Sequence, residues 1–200
     1  MIVAVVLSAG ESSRMGRPKA LLPLDGVPFI ERIVQALRQT RLGEIIVVLG
    51  HNAEEMEKEI ARLPVTVLIN KDYKKGQLSS LVAAIRAVEA EKERKDVDGM
   101  LVHLVDHPFV SPALVDHMIN RFYESKKLIV VPRHKGKRGH PVIFSSRIFS
   151  ELLRAPLDQG AKTVVHAHRS ETLEIETEYE GVTIDIDTPE EYRHYLLGRK

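Results

Sequence analysis

The sequence predicts an α/β protein: one domain built as a three-layer open sheet, mostly parallel, with a Rossmann-like N-terminal half. Three observations carry that expectation. The apolar runs at 2–7, 45–49 and 101–105 are continuous rather than alternating, as suits strands covered on both faces. Between them lie stretches with helical periodicity; Phe29, Ile30, Ile33, Val34 and Leu37 form one stripe. Strand and helix then alternate through the first 130 residues, which calls for a doubly wound sheet with right-handed crossovers.

In order, residues 2–7 read as a strand, 28–39 as a helix, 44–49 as a strand and 53–63 as a helix. Residues 65–69 read as a strand, 78–94 as a helix and 100–105 as a strand. Ser111 and Pro112 supply an N-cap and a first-turn proline for a helix to about Ser125. Strand 128–131 follows, then a polar loop over 133–140, a short strand 141–144, a helix 146–154 and a helix 160–168. Residues 172–176 and 182–187 read as strands, and Thr188 with Glu191 forms a capping box opening a last helix to Leu197. No linker or repeat divides the chain. It reads as one domain over 1–200, in two halves at 1–130 and 131–200 where the rhythm of elements changes.

Lys and Arg number 29 against 28 Asp and Glu, so no bulk field argues for nucleic acid. The absence of cysteine excludes disulfides, thiolate metal sites and a cysteine nucleophile. No apolar run approaches the ~18–20 residues that span a bilayer, and the N-terminus lacks a charged leader region. The expectation is a cytoplasmic protein that binds neither membrane nor nucleic acid.

Ligands of open α/β sheets sit beyond the carboxyl ends of the strands, and the unusual residues collect there. After the first strand, a turn of small residues (Ser8, Ala9, Gly10, Ser12, Ser13) is followed by Arg14 and Lys19. Small side chains and backbone N–H groups admit a polyphosphate closely, and the two cations neutralise it. It is not a Walker A loop, because five residues separate Gly10 from Gly16 and Arg17 follows. The dinucleotide fingerprint and the serine-hydrolase elbow are absent too.

Asp106 ends an apolar strand, and Pro108 keeps that strand from continuing; a carboxylate there suits Mg²⁺. Asp185 and Asp187 alternate on the expected strand 182–187 and so share a face, which makes either one a second ligand. Asn70, Gln77, Ser79 and Ser80 carry amides and hydroxyls able to read a base edge and a ribose. Arg133, Lys135, Lys137 and Arg138 concentrate charge where an anionic acceptor would be attracted. His103 and His107 straddle Asp106 but need not share a face, and His166 and His168 diverge on a helix, so zinc is not expected.

The run Leu7, Ser8, Ala9, Gly10, then Ser13, Arg14, Met15, Gly16 and Lys19 resembles the signature L-A-[AG]-G-x-[SG]-x-R-M-G-x-x-K. That signature belongs to nucleotidyltransferases with the glycosyltransferase-A-like fold. Segments 76–81, 105–108, 139–144, 158–162 and 185–192 narrow the resemblance to the molybdenum-cofactor cytidylyltransferase branch, over nearly the whole chain. Ser8 stands for the commoner Ala, His107 for a Gln, and Leu157 for a Gly; the last two bear on the acceptor pocket.

The resemblance implies transfer of CMP from CTP to a phosphorylated acceptor of the molybdopterin type, with release of pyrophosphate. The cofactor would be Mg²⁺, or Mn²⁺ in its place, on Asp106 with Asp185 or Asp187. Leu7, Ser8, Ala9, Gly10, Asn70, Gln77, Ser79 and Ser80 would surround the nucleoside. Arg14 would hold the β- and γ-phosphates and Lys19 the α-phosphoryl group, with Asp106 completing the catalytic set. His107, Arg138, Gly139, His140 and Lys162 would meet the acceptor, and a molybdoenzyme would receive the product. Alternatives are GTP as donor, a sugar, polyol or acid phosphate as acceptor, and a nucleotide-binding module without catalysis.

Overall fold

The computed structural model describes residues 1–90 and 97–197. The elements run β1 (Ile2–Ser8), β2 (Pro23–Leu24), β3 (Val27–Pro28), α1 (Phe29–Leu37), β4 (Ile45–Leu49), α2 (Ala53–Ile60), β5 (Thr66–Ile69), α3 (Gln77–Ala90), β6 (Gly99–Leu104) and α4 (Pro112–Ser125). They continue with β7 (Ile129–His134), β8 (Lys137–Arg138), β9 (Val142–Ser145), α5 (Phe149–Arg154), α6 (Lys162–Ala167), β10 (Thr172–Glu176) and α7 (Pro189–Leu197). The expected end of the helix at Arg94 lies outside the described residues.

The main sheet has the order β10-β7-β9-β6-β1-β4-β5, with β8 paired to β7. β1 pairs in parallel with both β4 and β6, β4 with β5, and β7 with β10; only β9 and the short β8 run antiparallel to their neighbours. β1 explains why its run is continuously apolar. Ile2, Ala4 and Val6 face a core containing Ile30, Ile33, Leu37, Met56 and Met118. Val3, Val5 and Leu7 face the opposite core, with Leu81, Ile85, Phe149 and Leu152. Both faces are covered by helices, giving the three layers, and each buried aliphatic side chain contributes roughly 1.5–3 kcal/mol.

A third, smaller core joins Leu22, Leu24, Phe29, Phe109, Ile186 and Tyr192. It ties α7 to the segment after β1, and the Tyr192 hydroxyl donates to the Pro23 carbonyl at 2.5 Å. The capping box forms as expected: Glu191 N–H donates to Thr188 Oγ1 at 3.2 Å, and Glu191 Oε2 accepts from Thr188 N–H at 2.8 Å.

Two local expectations are corrected. Residues 133–140 are not simply a loop: β7 runs through His134 and turns back into β8. The turn residues Lys135 and Gly136 both have positive φ, 46° and 84°, the signature of a tight two-residue hairpin. Residues 182–187 are not a strand either. Val182 and Ile186 are buried as the alternation implies, but the segment crosses the sheet's carboxyl ends as a strap instead of joining the sheet. It touches down through His140 N–H on the Val182 carbonyl at 2.8 Å and Ile186 N–H on the Asp106 carbonyl at 2.9 Å.

Candidate active site

From β1 the chain reaches β4 and β5 on one side and β6 on the other. The carboxyl ends of β1 and β6 therefore flank a topological switch point, where open α/β sheets bind ligands. The loop after β1 and the turn after β6 meet there.

The first loop folds on itself: Met15 N–H donates to the Ser12 carbonyl at 2.9 Å, and Lys19 N–H to Ser12 Oγ at 3.1 Å. Ser12 and Gly16 supply the left-handed conformations the turn needs, with φ of 51° and 67°. A Cβ built on Gly10 meets nothing within 4 Å, so the glycine opens onto free space. Ser8 and Ala9 are buried behind it.

Lys19 donates to Asp187 Oδ1 and lies 3.6 Å from Asp106 Oδ2, with only 12% of its side chain exposed. Arg14 is far more exposed and reaches Asp187 Oδ2 at 3.0 Å. Two loop cations thus meet two carboxylates from distant segments. The hydrogen bond from Lys19, aided by Arg14, holds the Asp187 carboxyl below its ordinary pKa. Burial pushes that of Asp106 upward, against the opposing pull of Lys19.

Asp106 Oδ1 is buried and has no hydrogen-bond partner among the described residues. An orphaned carboxylate oxygen beside a second carboxylate fits a hard divalent cation. No group of three or more metal-ligating side chains stands ready among the described residues, so phosphate oxygens and water would complete the coordination. Asp185 is exposed, and its charge is felt at His107 and His140. Asp185 and Asp187 lie on the strap and not on a strand, yet the charges of both act on His107; Asp187 is the one that meets Lys19.

The histidines cluster more closely than the sequence suggests. His103, His107 and His140 have ring centroids 4.9–6.4 Å apart, beside Asp106. Burial drives the pKa of His103 down to about 3 and that of His140 down to about 4, and lowers that of His107. Burial thus favours the neutral form of all three rings.

Asn70, Ser79 and Ser80 are buried and bonded to one another: Asn70 Nδ2 donates to Ser79 Oγ at 2.9 Å and Ser80 Oγ at 3.0 Å. Asn70 Oδ1 accepts from Asp72 N–H at 2.9 Å, and Ser79 Oγ donates toward the Gly76 and Asp72 carbonyls. Their side chains are bonded to one another and to the main chain of the loop into α3, which they clasp. Gln77 does line the adjoining cavity.

That cavity, about 590 Å³, runs from Leu7 and Gln77 to Arg138, Gly139, His140 and Lys162. Its floor includes Val102, Leu104, Val131 and Phe144. His166, weighed in the sequence only as a metal ligand, and Gln159, within segment 158–162, also line it. Two of the hairpin's four cations, Arg133 and Arg138, are paired to carboxylates of β10. Arg133 contacts Glu174 and Glu176 at 3.2 and 3.1 Å, and Arg138 donates to Glu174 at 2.7 Å.

The chain matches the MobA-like NTP transferase domain over residues 4–172. The molybdenum cofactor cytidylyltransferase of Escherichia coli (strain K12) is 25% identical over 197 residues, 96% of this chain and 93% of that one. A probable molybdenum cofactor guanylyltransferase of Thermococcus sibiricus is 28% identical over 161 residues, 80% of this chain and 76% of that one. Among solved structures, Rv0371c of Mycobacterium tuberculosis superposes with a TM-score of 0.85 at 31% identity, covering 98% of this chain and 96% of that one. Its complex with manganese gives 0.80 at 30% identity, covering 100% and 99%. With these likenesses on a switch-point site of paired cations and carboxylates, the chain belongs to the MobA-like NTP transferase family and is a nucleotidyltransferase.

Proposed function

We propose that the enzyme transfers CMP from CTP to a phosphorylated acceptor of the molybdopterin class, releasing pyrophosphate. The observation that carries the reading is Lys19 set between Asp106 and Asp187, with His140, which lines the 590 Å³ cavity, close enough to act on the Asp106 charge. An acceptor phosphate oxygen attacks the α-phosphorus in line, a new P–O–P linkage forms, and the bond to the β-phosphate breaks. The nucleophile is already anionic, so the protein's work is positioning and charge stabilisation.

Arg14, exposed on the loop, would hold the β- and γ-phosphates. Lys19, nearly buried, would stabilise charge at the α-phosphoryl group. Asp106 and Asp187 would hold Mg²⁺, which when bound neutralises phosphate charge; manganese in the mycobacterial homologue supports a divalent site. Leu7, Ser8, Ala9 and Gly10 border the nucleoside with Gln77, while Asn70, Ser79 and Ser80 keep that wall in shape. Ala9, as in the cytidylyl branch that the sequence resembles, supports CTP as the donor.

On the acceptor side, the apolar floor suits a flat ring system better than a polyol. Lys162 at its rim suits an anionic tail, with Arg138, bonded to Glu174, and the neutral His140 beside it; Gly139 leaves room for the Val182 carbonyl of the strap, and His107 flanks Asp106. The product's recipient would be a molybdoenzyme. The test is pyrophosphate release from CTP and GTP in parallel, with Mg²⁺, with and without a molybdopterin acceptor. Acceptor-dependent release faster from CTP is expected. Preference for GTP would overturn the base assignment, and release from neither would overturn the reaction.

A further inference from the structure

His103 is a buried ionisable residue whose place the reaction does not explain. It sits in β6 among Leu101, Val102 and Leu104, fully buried, where an aliphatic side chain would satisfy the core. Its Nε2 lies 2.7 Å from the His107 carbonyl oxygen. A carbonyl only accepts, so that nitrogen carries the proton and donates. Nδ1 is then left bare, buried and without a partner among the described residues. Burying an imidazole with one nitrogen unmatched is unfavourable, so the donated bond is the feature that accounts for a histidine here.

The bond falls on the turn that carries Asp106. His107 N–H donates to the Leu104 carbonyl at 3.1 Å, and the strap's Ile186 N–H to the Asp106 carbonyl at 2.9 Å. Both are main-chain bonds that almost any sequence could make. The bond from His103 is a side-chain anchor of the same turn, and it approaches from within the sheet while the strap holds from outside. The ring also packs edge-on against His107 and His140, at 6.3 and 6.4 Å between centroids.

We propose that His103 is a positioning residue, whose Nε2–H fixes the main chain of the Asp106–His107 turn and so aims the unpartnered Asp106 carboxylate oxygen at the metal. The inference rests on the proposed metal role of Asp106. It adds a residue that never touches substrate. Outer hydrogen bonds that orient metal-site groups typically carry about 10–100-fold in affinity or activity.

The test compares His103→Leu, which fills the site without a donor, with His103→Gln, whose amide N–H reaches further than that of His103→Asn. Two readouts are taken on the full chain: Mn²⁺ affinity from the paramagnetic resonance of free Mn²⁺, and kcat and KM for CTP from pyrophosphate release. His103→Leu should weaken Mn²⁺ binding and lower kcat about tenfold each, with KM for CTP within about twofold. His103→Gln should recover most of both, and His103→Asn should not. Wild-type Mn²⁺ affinity and kcat in a folded His103→Leu protein would overturn the proposal. So would equal losses in the Gln and Asn variants, because the ring's bulk, not its N–H, would then matter. If His103→Leu does not fold, the Gln–Asn difference decides alone. If the wild-type chain releases no pyrophosphate, the proposed reaction fails, while the Mn²⁺ titrations still test the positioning.

Discussion

The two halves of the carboxyl edge handle charge in opposite ways. On the nucleotide side, Arg14 and Lys19 are paired to Asp187, and Lys19 also approaches Asp106; these are carboxylates that a divalent cation can take over. On the acceptor side, Arg133 and Arg138 are paired to Glu174 and Glu176 along β10, away from any orphaned oxygen. A cation count would rank the second region as the stronger anion site. The pairing reverses that ranking: charge released when a ligand binds counts, and charge locked into a surface strand does not.

The sharpest way to break this contrast is to remove the most buried of the four loop and hairpin cations discussed. Lys19→Ala should lower kcat by ~10²–10³, the usual loss for one electrostatic contact at a transferring group. It should leave a folded protein, as read by circular dichroism. Near-normal turnover would mean that the nucleotide-side pairing is structural, like that of Arg133.

The neutral histidines give the next effect, on stability. His103 and His140 have pKa values near 3 and 4 in the folded chain, against about 6.5 unfolded. Below pH 6.5 the unfolded chain binds protons that the folded chain refuses, so stability is complete above that pH and falls as the solution is acidified toward 4. Asp187, held low, acts in the same direction at lower pH; Asp106, held high, opposes it. From pH 7 to 5 each histidine should cost about 2 kcal/mol, measured by urea unfolding. His103→Leu should remove about half of the histidine share. Equal stability at the two pH values would refute burial of neutral rings.

Much of the fold was legible because burial on two faces writes itself into sequence as unbroken apolar runs, as in β1, β4 and β6. The N-cap at Ser111 and the capping box at Thr188 were equally plain, since local hydrogen bonds set them. What escaped was tertiary. The alternation of Val182, Ile184 and Ile186 reported one buried face correctly, but a strap over strand ends shares that pattern with a strand. Asn70, Ser79 and Ser80 are polar residues near a ligand loop, and nothing in their types tells that they are bonded to one another. His103 carried a signal, a lone imidazole inside an apolar run; that its ring meets His107 and His140 depends on how the turn after β6 folds back.

Smaller effects separate the acceptor rim from its charged neighbours. Lys162 lines the cavity and has no carboxylate of its own among the ion pairs of the described residues. Lys162→Ala should therefore raise KM for the phosphorylated acceptor about tenfold, one charge-assisted contact, and leave KM for CTP unchanged. Equal effects on both substrates would place Lys162 on the nucleotide instead.

Glu174→Gln sharpens the comparison from the other side. Glu174 is the carboxylate common to Arg133 and Arg138, and all three side chains are about one-third exposed. Ion pairs this open are worth ~0–1 kcal/mol, so the melting temperature should move by only a few degrees. Arg138 also borders the cavity, and freeing it adds one unneutralised cation at the rim. The acceptor's KM should then fall about twofold in low salt and return to the wild-type value at high ionic strength, because exposed charges are screened beyond a Debye length of roughly 8 Å at 0.15 M. A gain that survives high salt would mean that Arg138 makes a direct, desolvated contact with the acceptor. The hairpin would then belong with the loop of Arg14 and Lys19, as charge held in reserve for a ligand.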